Sequence, residues 1–309
     1  RHPGFVAPQL ESILAYSLYK GARLSFLALN VLHKHPILID YANKNFYGQK
    51  IRKLPPPNTT AHDLHIHYEK DLSQAIADAA AKHVEQHPMQ SLGIIVFTEE
   101  RRQNVFQAIL KKIHEHPDLG FFVSPKDILR DPYVRLPEEA SGDYRDTLFI
   151  CAEPNVTIAS QGFSTKLINI CATHALSSLR IFATEKAEQT SSPNAGVRAY
   201  VDFLKYVEAF KNADIFERNP IQTHLCEQIF QEINTEEVEI ETGWGYNGAS
   251  VQFAIHDANN PEHFLLGIES DSGNDFLRAS VEDRHYLRPK ILDRLGWKII
   301  PLWCPNWYR

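Results

Sequence analysis

Hydrophobic and polar positions along this chain follow two different patterns, and the change between them predicts two domains. In the first half, the short apolar run at residues 92–97 predicts a buried strand, whereas apolar residues at 72–87 and 99–114 recur with helical spacing. Thr98 is a favourable N-cap for the helix at 99–114. Further strands are predicted at 63–68, 147–151 and 179–184, and a further helix at 9–19. Strands that alternate with helices predict a parallel, doubly wound sheet.

The second half has a different order of elements. Its pattern predicts a helix, three consecutive strands, a second helix and a last strand, over 221–233, 238–242, 249–255, 264–270, 280–295 and 298–302. This α-β-β-β-α-β order is that of the restriction endonuclease-like core. We therefore expect a first domain at residues 1–195 and a second at 196–309, with a bridging helix at 197–211.

The composition is that of an ordinary globular protein, with 43% hydrophobic and 23% charged residues. No apolar run approaches the ~20 residues that cross a bilayer, and no signal-peptide pattern opens the sequence, so we expect no membrane contact. The four cysteines are widely spaced, without a C-x-x-C pair. This spacing argues against a disulfide framework or a zinc ribbon and favours a reducing cytoplasm.

The charge is distributed unevenly. The net charge of −6 is not that of a protein with a broadly basic, nucleic-acid-binding surface. From Lys211 onward the chain has 9 basic and 16 acidic residues, so this part carries −7 and the remainder +1. Within this acidic part, the basic residues gather in the stretch at 278–298.

Two carboxylates end the apolar strand predicted at 264–270, in the order Glu269-Ser270-Asp271. Hard oxygen ligands that point the same way can hold Mg²⁺ against a scissile phosphate. Taken alone, this pattern is more often a solvated strand end.

The residues that follow carry a closer resemblance. After Glu269 and Asp271 come Asp283-Arg284-His285-Tyr286-Leu287-Arg288, then Leu295-Gly296-Trp297, then Trp303-Cys304-Pro305-Asn306-Trp307. This run resembles the very-short-patch-repair-like domain, of the PD-(D/E)XK class, that is fused to superfamily 1 helicase-like proteins. The resemblance implies a metal-dependent DNA endonuclease with Glu269 and Asp271 as metal ligands, and Glu227 as a helix glutamate of the catalytic site.

The sequence departs from this family at a position that carries chemistry. The middle strand of the family has an Asp as its first metal ligand, and here Gln252 takes that place. A neutral amide offers one carbonyl oxygen and no charge, so we expect Gln252, Glu269, Asp271 and Glu227 to hold Mg²⁺ only weakly. The nuclease site is therefore expected to be degenerate, and an active Mg²⁺-dependent endonuclease is the alternative.

The same resemblance would place the basic stretch against a nucleic-acid backbone. The candidate DNA-binding residues are Arg278, Arg284, Arg288 and Lys290, since phosphate contact needs only exposure and spacing. The alternative is an ordinary solvated helix, in which these side chains pair with acidic neighbours.

The first half resembles the second RecA-like motor domain of the same helicase-like proteins, over the segments 38–47, 91–97, 135–146 and 169–175. The positions that drive ATP hydrolysis are changed. Leu32 and His174 replace arginines of the family, and Ser141 and Tyr144 replace its Gln and Glu. No G-x-x-x-x-G-K-[ST] loop occurs in the sequence, so we expect no use of ATP by this chain alone. We expect the first RecA-like domain to lie in a protein partner or an upstream piece; the alternative is that it does not exist.

Three functions stay open on the sequence. The first is a catalytically degenerate DNA-binding or scaffolding module of a DNA repair or defence complex. The second is an active metal-dependent DNA endonuclease, and the third is a protein-interaction subunit without nucleic acid. DNA binding that weakens steeply with salt would separate the first from the third.

Overall fold

The structure is a computed structural model that describes residues 13–59, 63–115, 117, 133–152, 165–186, 194–209, 215–218, 224–271 and 279–307. Two five-stranded sheets with helices packed against them make up this part of the chain. The predicted α/β fold class, with a parallel sheet in the first half and a second sheet of different topology in the second half, is confirmed. Among the described helices, none is long and apolar enough to cross a membrane.

The first half alternates helices and strands as its hydrophobic pattern predicts. In chain order its elements are α1 (Ile13–Tyr19), α2 (Ile37–Asn45), β1 (Asp63–Tyr68), α3 (Leu72–Gln86), β2 (Leu92–Ile95), α4 (Glu99–Glu115), β3 (Tyr133–Arg135), β4 (Arg145–Ala152), α5 (Thr165–Thr173), β5 (Ala175–Ala183) and α6 (Ala195–Ala209). The sheet is parallel throughout, in the order β1-β5-β4-β2-β3. The Thr98 hydroxyl accepts a hydrogen bond from the Arg101 N–H at 3.2 Å, which confirms the predicted cap of α4.

Helices cover both faces of this sheet. On one face, α2, α5 and α6 bury a large apolar cluster that includes Ile168 and Tyr200. On the other face, α3 and α4 bury Ile76 and Val105. Every residue of β2 is buried, as expected for a continuous apolar strand covered on both sides. Helix α6 lies within the range expected for the second domain, yet it packs against this first sheet.

The second half contains the predicted α-β-β-β-α-β order. Its elements are β6 (Glu217–Arg218), α7 (His224–Ile233), β7 (Val238–Tyr246), β8 (Ala249–Asp257), β9 (Asn260–Ser270), α8 (Arg288–Arg294), β10 (Ile299–Leu302) and α9 (Cys304–Trp307). The sheet order is β10-β9-β8-β7-β6, antiparallel except for the parallel pair of β9 and β10. The helix predicted at 280–295 contains a π-helical turn, Asp283–Leu287, directly before α8. Pro289 lacks the N–H that a continuous α-helix would use here.

Buried polar contacts join the two halves. The Tyr246 hydroxyl on β7 donates to Asp40 Oδ1 on α2 at 2.8 Å, and within the first half the Tyr206 hydroxyl on α6 donates to Asp40 Oδ2 at 2.7 Å. The indole N–H of Trp297 donates to the Pro55 carbonyl at 2.7 Å. Because these groups are removed from water, their hydrogen bonds fix how the two halves meet.

Candidate acidic site at the end of strand β9

The two carboxylates predicted as metal ligands lie at the carboxyl end of β9. Glu269 is the next-to-last residue of this strand, and Asp271 directly follows the strand. The antiparallel neighbour β8 places Gln252 beside Glu269, and the Gln252 N–H donates to Glu269 Oε1 at 3.3 Å. The structure therefore brings Gln252, Glu269 and Asp271 to the same end of the second sheet.

The Gln252 side chain is already engaged by the backbone. It is buried, and its amide oxygen accepts a hydrogen bond from the backbone N–H of Ser270. Gln252 thus acts here as a strand-bridging amide, and the oxygen that a metal would need is held by a protein donor.

Arg288 holds Glu269. Its Nε donates to Glu269 Oε2 at 2.8 Å, and its terminal nitrogen donates to Glu269 Oε1 at 2.9 Å. The same terminal nitrogen also donates to the Ser250 carbonyl. Both side chains are mostly buried, at 28% and 17% exposure. A two-pronged arginine–carboxylate pair of this kind is both directional and stronger than a neutral hydrogen bond.

Asp271 takes a hydrogen bond from the following segment. Its Oδ1 accepts from the Cys304 N–H, at the start of α9, at 2.8 Å. Partial burial opposes ionisation of the carboxyl, but the hydrogen bonds from Cys304 outweigh it and hold the pKa of Asp271 below the usual value. Asp271 therefore carries its negative charge at neutral pH, with one oxygen committed to the backbone.

Glu227 lies apart from this arrangement in its contacts. It is on α7 with a side chain 73% exposed, 3.9 Å from His224 Nδ1. In the part of the chain that the structure describes, no group of three or more His, Cys, Asp or Glu residues is arranged to hold a metal ion. Gln252 Oε1, Asp271 Oδ1 and both carboxylate oxygens of Glu269 each accept a hydrogen bond from a protein donor, so a bound Mg²⁺ would share these oxygens with those donors. The assignment of Glu269 and Asp271 as metal ligands stays a prediction.

The candidate DNA-binding residues have different surroundings. Arg278 lies outside the described residues. Arg288 points to Glu269, whereas Arg284, in the π-helical turn, is half-buried. Lys290 is exposed, and its ammonium group donates to the Tyr286 hydroxyl at 2.7 Å. Their contact with DNA stays a prediction, and Arg288 could join it only by leaving Glu269.

Two of the four positions predicted to be degenerate ATPase residues line a cavity in the first half. Leu32 and Tyr144 line this cavity of about 500 Å³, which is largely apolar. The Tyr144 ring stacks on His174 with ring centroids 4.7 Å apart, and the Gly142 N–H donates to His174 Nε2 at 3.2 Å. Burial lowers the pKa of His174. Ser141 follows the 3-10 helix at Pro137–Ala140.

The sequence interpretation missed His33, which lies next to these positions. His33 is buried, and its Nε2 lies 2.7 Å from the Thr173 carbonyl oxygen, while its Nδ1 lies 3.1 Å from the Asn30 side-chain oxygen. Burial lowers the pKa of His33 to about 4, and the hydrogen bond with Thr173 only partly opposes this. The local partner Asn30 does not by itself distinguish this imidazole from a surface histidine, and the contact that accompanies its burial, with Thr173, spans 140 residues.

Comparison with known families matches the second half of the molecule. Residues 226–309 match the family model REase_MTES_1575, a restriction endonuclease-like domain. The matched range is 84 of 309 residues and includes Gln252, Glu269 and Asp271. No curated protein matches the chain. The nuclease-like part of the predicted resemblance is thereby confirmed, whereas the helicase-like part has no counterpart in these comparisons and stays a prediction.

Proposed function

We propose that this chain is a nuclease-derived, DNA-associated module whose acidic site is catalytically degenerate, and that it is a DNA-binding or scaffolding part of a repair or defence complex. The observation that carries the proposal is the two-pronged ion pair between Arg288 and Glu269. In this protein an arginine supplies the positive charge to a carboxylate that, in the nucleases it resembles, would bind a metal ion.

The charge at the strand end supports this proposal. Glu269 and Asp271 are negative, Arg288 is positive and Gln252 is neutral, so one net negative charge remains. Mg²⁺ gives up its hydration water reluctantly and requires near-octahedral oxygen ligands. This site has one net negative charge, and Ser270 and Cys304 already donate to two of its oxygens, so its attraction for Mg²⁺ compensates little of the lost hydration.

Contact with DNA is proposed for the π-helical turn and α8. Arg288 reaches Glu269 from α8, so this helix lies directly beside the acidic site. Arg284 and Lys290 flank Arg288 on the same segment and would contact backbone phosphates through their positive charges. Binding of this kind positions the nucleic acid without reading its sequence.

For the first half we propose a scaffolding role without ATP. The cavity beside Leu32 and Tyr144 has no charged side chain among its described lining residues. Phosphoryl transfer needs positive charge at the transferring group, and a neutral lining cannot supply it. The proposed partner of this half is a protein subunit or an upstream first RecA-like domain.

Titration calorimetry with MnCl₂ and MgCl₂ on the intact chain, together with plasmid and single-strand cleavage, tests the degenerate site. We expect neither saturable binding nor cleavage by the parent chain. A Gln252→Asp/Arg288→Ala double variant returns a charge and releases Glu269, so measurable Mn²⁺ binding is expected. Adding Glu269→Ala to this double variant is the control that should remove the binding. Cleavage by the parent that disappears in Glu269→Ala would establish an active nuclease and overturn the proposal.

DNA affinity at several salt concentrations tests the proposed contact. In an Arg284→Ala/Lys290→Ala variant, the negative slope of log affinity against log salt is expected to become shallower by about 2, since each phosphate contact contributes about 0.9 to its magnitude. The matched control is Lys82→Ala/Lys111→Ala, which removes the same charge from exposed positions of the first half and should leave the slope unchanged. Equal slopes for both variants would exclude this helix, and no binding by the parent would favour a protein-interaction subunit.

A further inference from the structure

The carboxyl end of α3 carries two histidines that the proposed function does not use. His83 and His87 are four residues apart and therefore lie on one face of the helix, one turn from each other. Their ring centroids are 5.4 Å apart, with the ring planes tilted by 47°. His83 is 1% exposed, whereas His87, at the C-cap, is exposed. The pair thus runs from the buried face of the helix to its surface.

Neither ring nitrogen of His83 has a hydrogen bond of normal geometry within the described part of the chain. Burial, and then the neighbouring His87, lower the pKa of His83 to about 4, so its imidazole is neutral at physiological pH. The backbone of Gln90 is close enough to oppose this shift, although not in hydrogen-bond geometry. A buried donor without a partner destabilises the folded state by about 1–3 kcal/mol. A group from outside the protein that binds a ring nitrogen of His83 would remove this cost.

The spacing of the two rings matches shared coordination of a metal ion. Zn²⁺ binds imidazole nitrogens at about 2.0–2.1 Å, and at a near-tetrahedral angle two such rings have centroids about 5 Å apart. The observed 5.4 Å is close to this separation. Two histidines four residues apart on a helix present both rings to one ion.

We propose that His83 and His87 form a two-histidine binding site for a borderline transition-metal ion such as Zn²⁺, Ni²⁺ or Cu²⁺. Neutral imidazole is the form that these ions bind, and they prefer nitrogen over the oxygen ligands that Mg²⁺ requires. No larger cluster of metal-binding side chains occurs among the described residues, so the remaining coordination positions are left to exchangeable ligands. Of the charged groups that act on His83, Asp146 is favourable and Arg180 is unfavourable to a cation.

Titration calorimetry of the intact chain with ZnCl₂ and NiCl₂ tests this site. We expect one saturable equivalent that is weakened at least about tenfold in His87→Ala, by comparison with the losses caused by changes around known metal ligands. His87 is exposed, so this variant is expected to fold. His114→Ala, at an exposed histidine near the end of α4, is the matched control and should bind as the parent does.

Two further variants separate this site from other metal-binding groups. Glu269→Ala should leave Zn²⁺ binding unchanged, because the acidic site is on the other sheet, and Cys304→Ser should do the same for the half-buried thiol. A second readout is thermal unfolding, in which Zn²⁺ should raise Tm of the parent and not of His87→Ala. No saturable binding, or equal binding by the parent and His87→Ala, would leave His83 as a core histidine and overturn the proposal.

Discussion

Replacement of Lys53 by methionine is expected to stabilise the protein at pH 7. Lys53 lies where the two halves meet: its backbone forms an isolated bridge with Tyr246 of β7, and the next residue, Leu54, is buried in the core of the second sheet. The Lys53 side chain has 0% exposure, and within the described residues its ammonium group has no hydrogen-bond partner. Methionine has a similar length, lacks the charge and can occupy the same space.

The magnitude follows from the pKa of the buried amine. Burial, and then the charge of Arg294, lower the pKa of Lys53 from 10.5 to about 8. Each pH unit between these values is worth about 1.4 kcal/mol, so keeping Lys53 protonated in the folded state at pH 7 costs on the order of 3 kcal/mol. We therefore expect Lys53→Met to raise the free energy of unfolding at pH 7 by up to this amount.

The pH dependence of stability is an independent test of whether Lys53 destabilises the folded protein. Between pH 8 and 10.5 the unfolded chain binds more protons at Lys53 than the folded chain does, so this lysine makes stability rise with pH over that window. At pH 7 its destabilising effect is fully present, and above pH 10.5 it is absent. The stability difference between Lys53→Met and the parent should therefore be largest at pH 7 and shrink as the pH rises through 8 to 10.

Chemical denaturation of both proteins at pH 7, 8, 9 and 10 measures this difference directly. Other groups that titrate in this range, such as the buried thiol of Cys171, are common to both proteins and cancel in the comparison. Lys50→Met, at an exposed lysine, is the matched control and should change stability by less than about 0.5 kcal/mol at every pH. A Lys53→Met variant that is less stable than the parent at pH 7, or a difference independent of pH, would refute the reasoning.

Two further predictions concern other buried polar groups. Tyr246→Phe removes the hydroxyl that donates to Asp40 and is expected to cost about 1.5–3 kcal/mol of unfolding free energy by urea denaturation, with exposed Tyr286→Phe close to neutral. A near-neutral Tyr246→Phe would show that the contact between the halves contributes little. His33, with a pKa lowered from 6.5 to about 4, binds fewer protons in the folded than in the unfolded chain between these values, so stability should fall as the pH drops from 6.5 to 4. The parent is expected to lose on the order of 3 kcal/mol of unfolding free energy over this range. His33→Gln, measured by denaturation at pH 7 and 4.5, should lose correspondingly less. An equal loss in both proteins would show that His33 does not cause this pH dependence.

The sequence predicts regular elements well where periodicity and caps agree. The strand at Asp63–Tyr68 has the predicted bounds, and α4 begins at the residue after Thr98, the predicted cap. The strands β3 and β6 are not predicted, because three and two residues carry no measurable period. Helix α6 has the predicted period, but its period cannot say which sheet it covers.

The acidic site shows the same limit more sharply. Local sequence places Glu269 and Asp271 at a strand end, and the strand order brings Gln252 beside them. Sequence does not show that Arg288 turns toward Glu269 rather than toward solvent, because this depends on where α8 lies against the sheet. Packing decides which side chains meet across 19 or more residues, and the type of a residue shows only which kinds of partner it can bind.

The polar contacts between the halves have a consequence for the proposed role. A buried carboxylate that accepts two tyrosine hydroxyls and pairs with Lys44 contributes little net stability compared with apolar packing, because its desolvation offsets the attraction. Another arrangement of the halves would remove the Tyr246 donor from Asp40, whereas Tyr206 and Lys44, which belong to the first half, would keep their contacts with it. The contact therefore favours one relative placement of the two sheets. This single placement is compatible with the proposed role of holding DNA or a partner at a defined position.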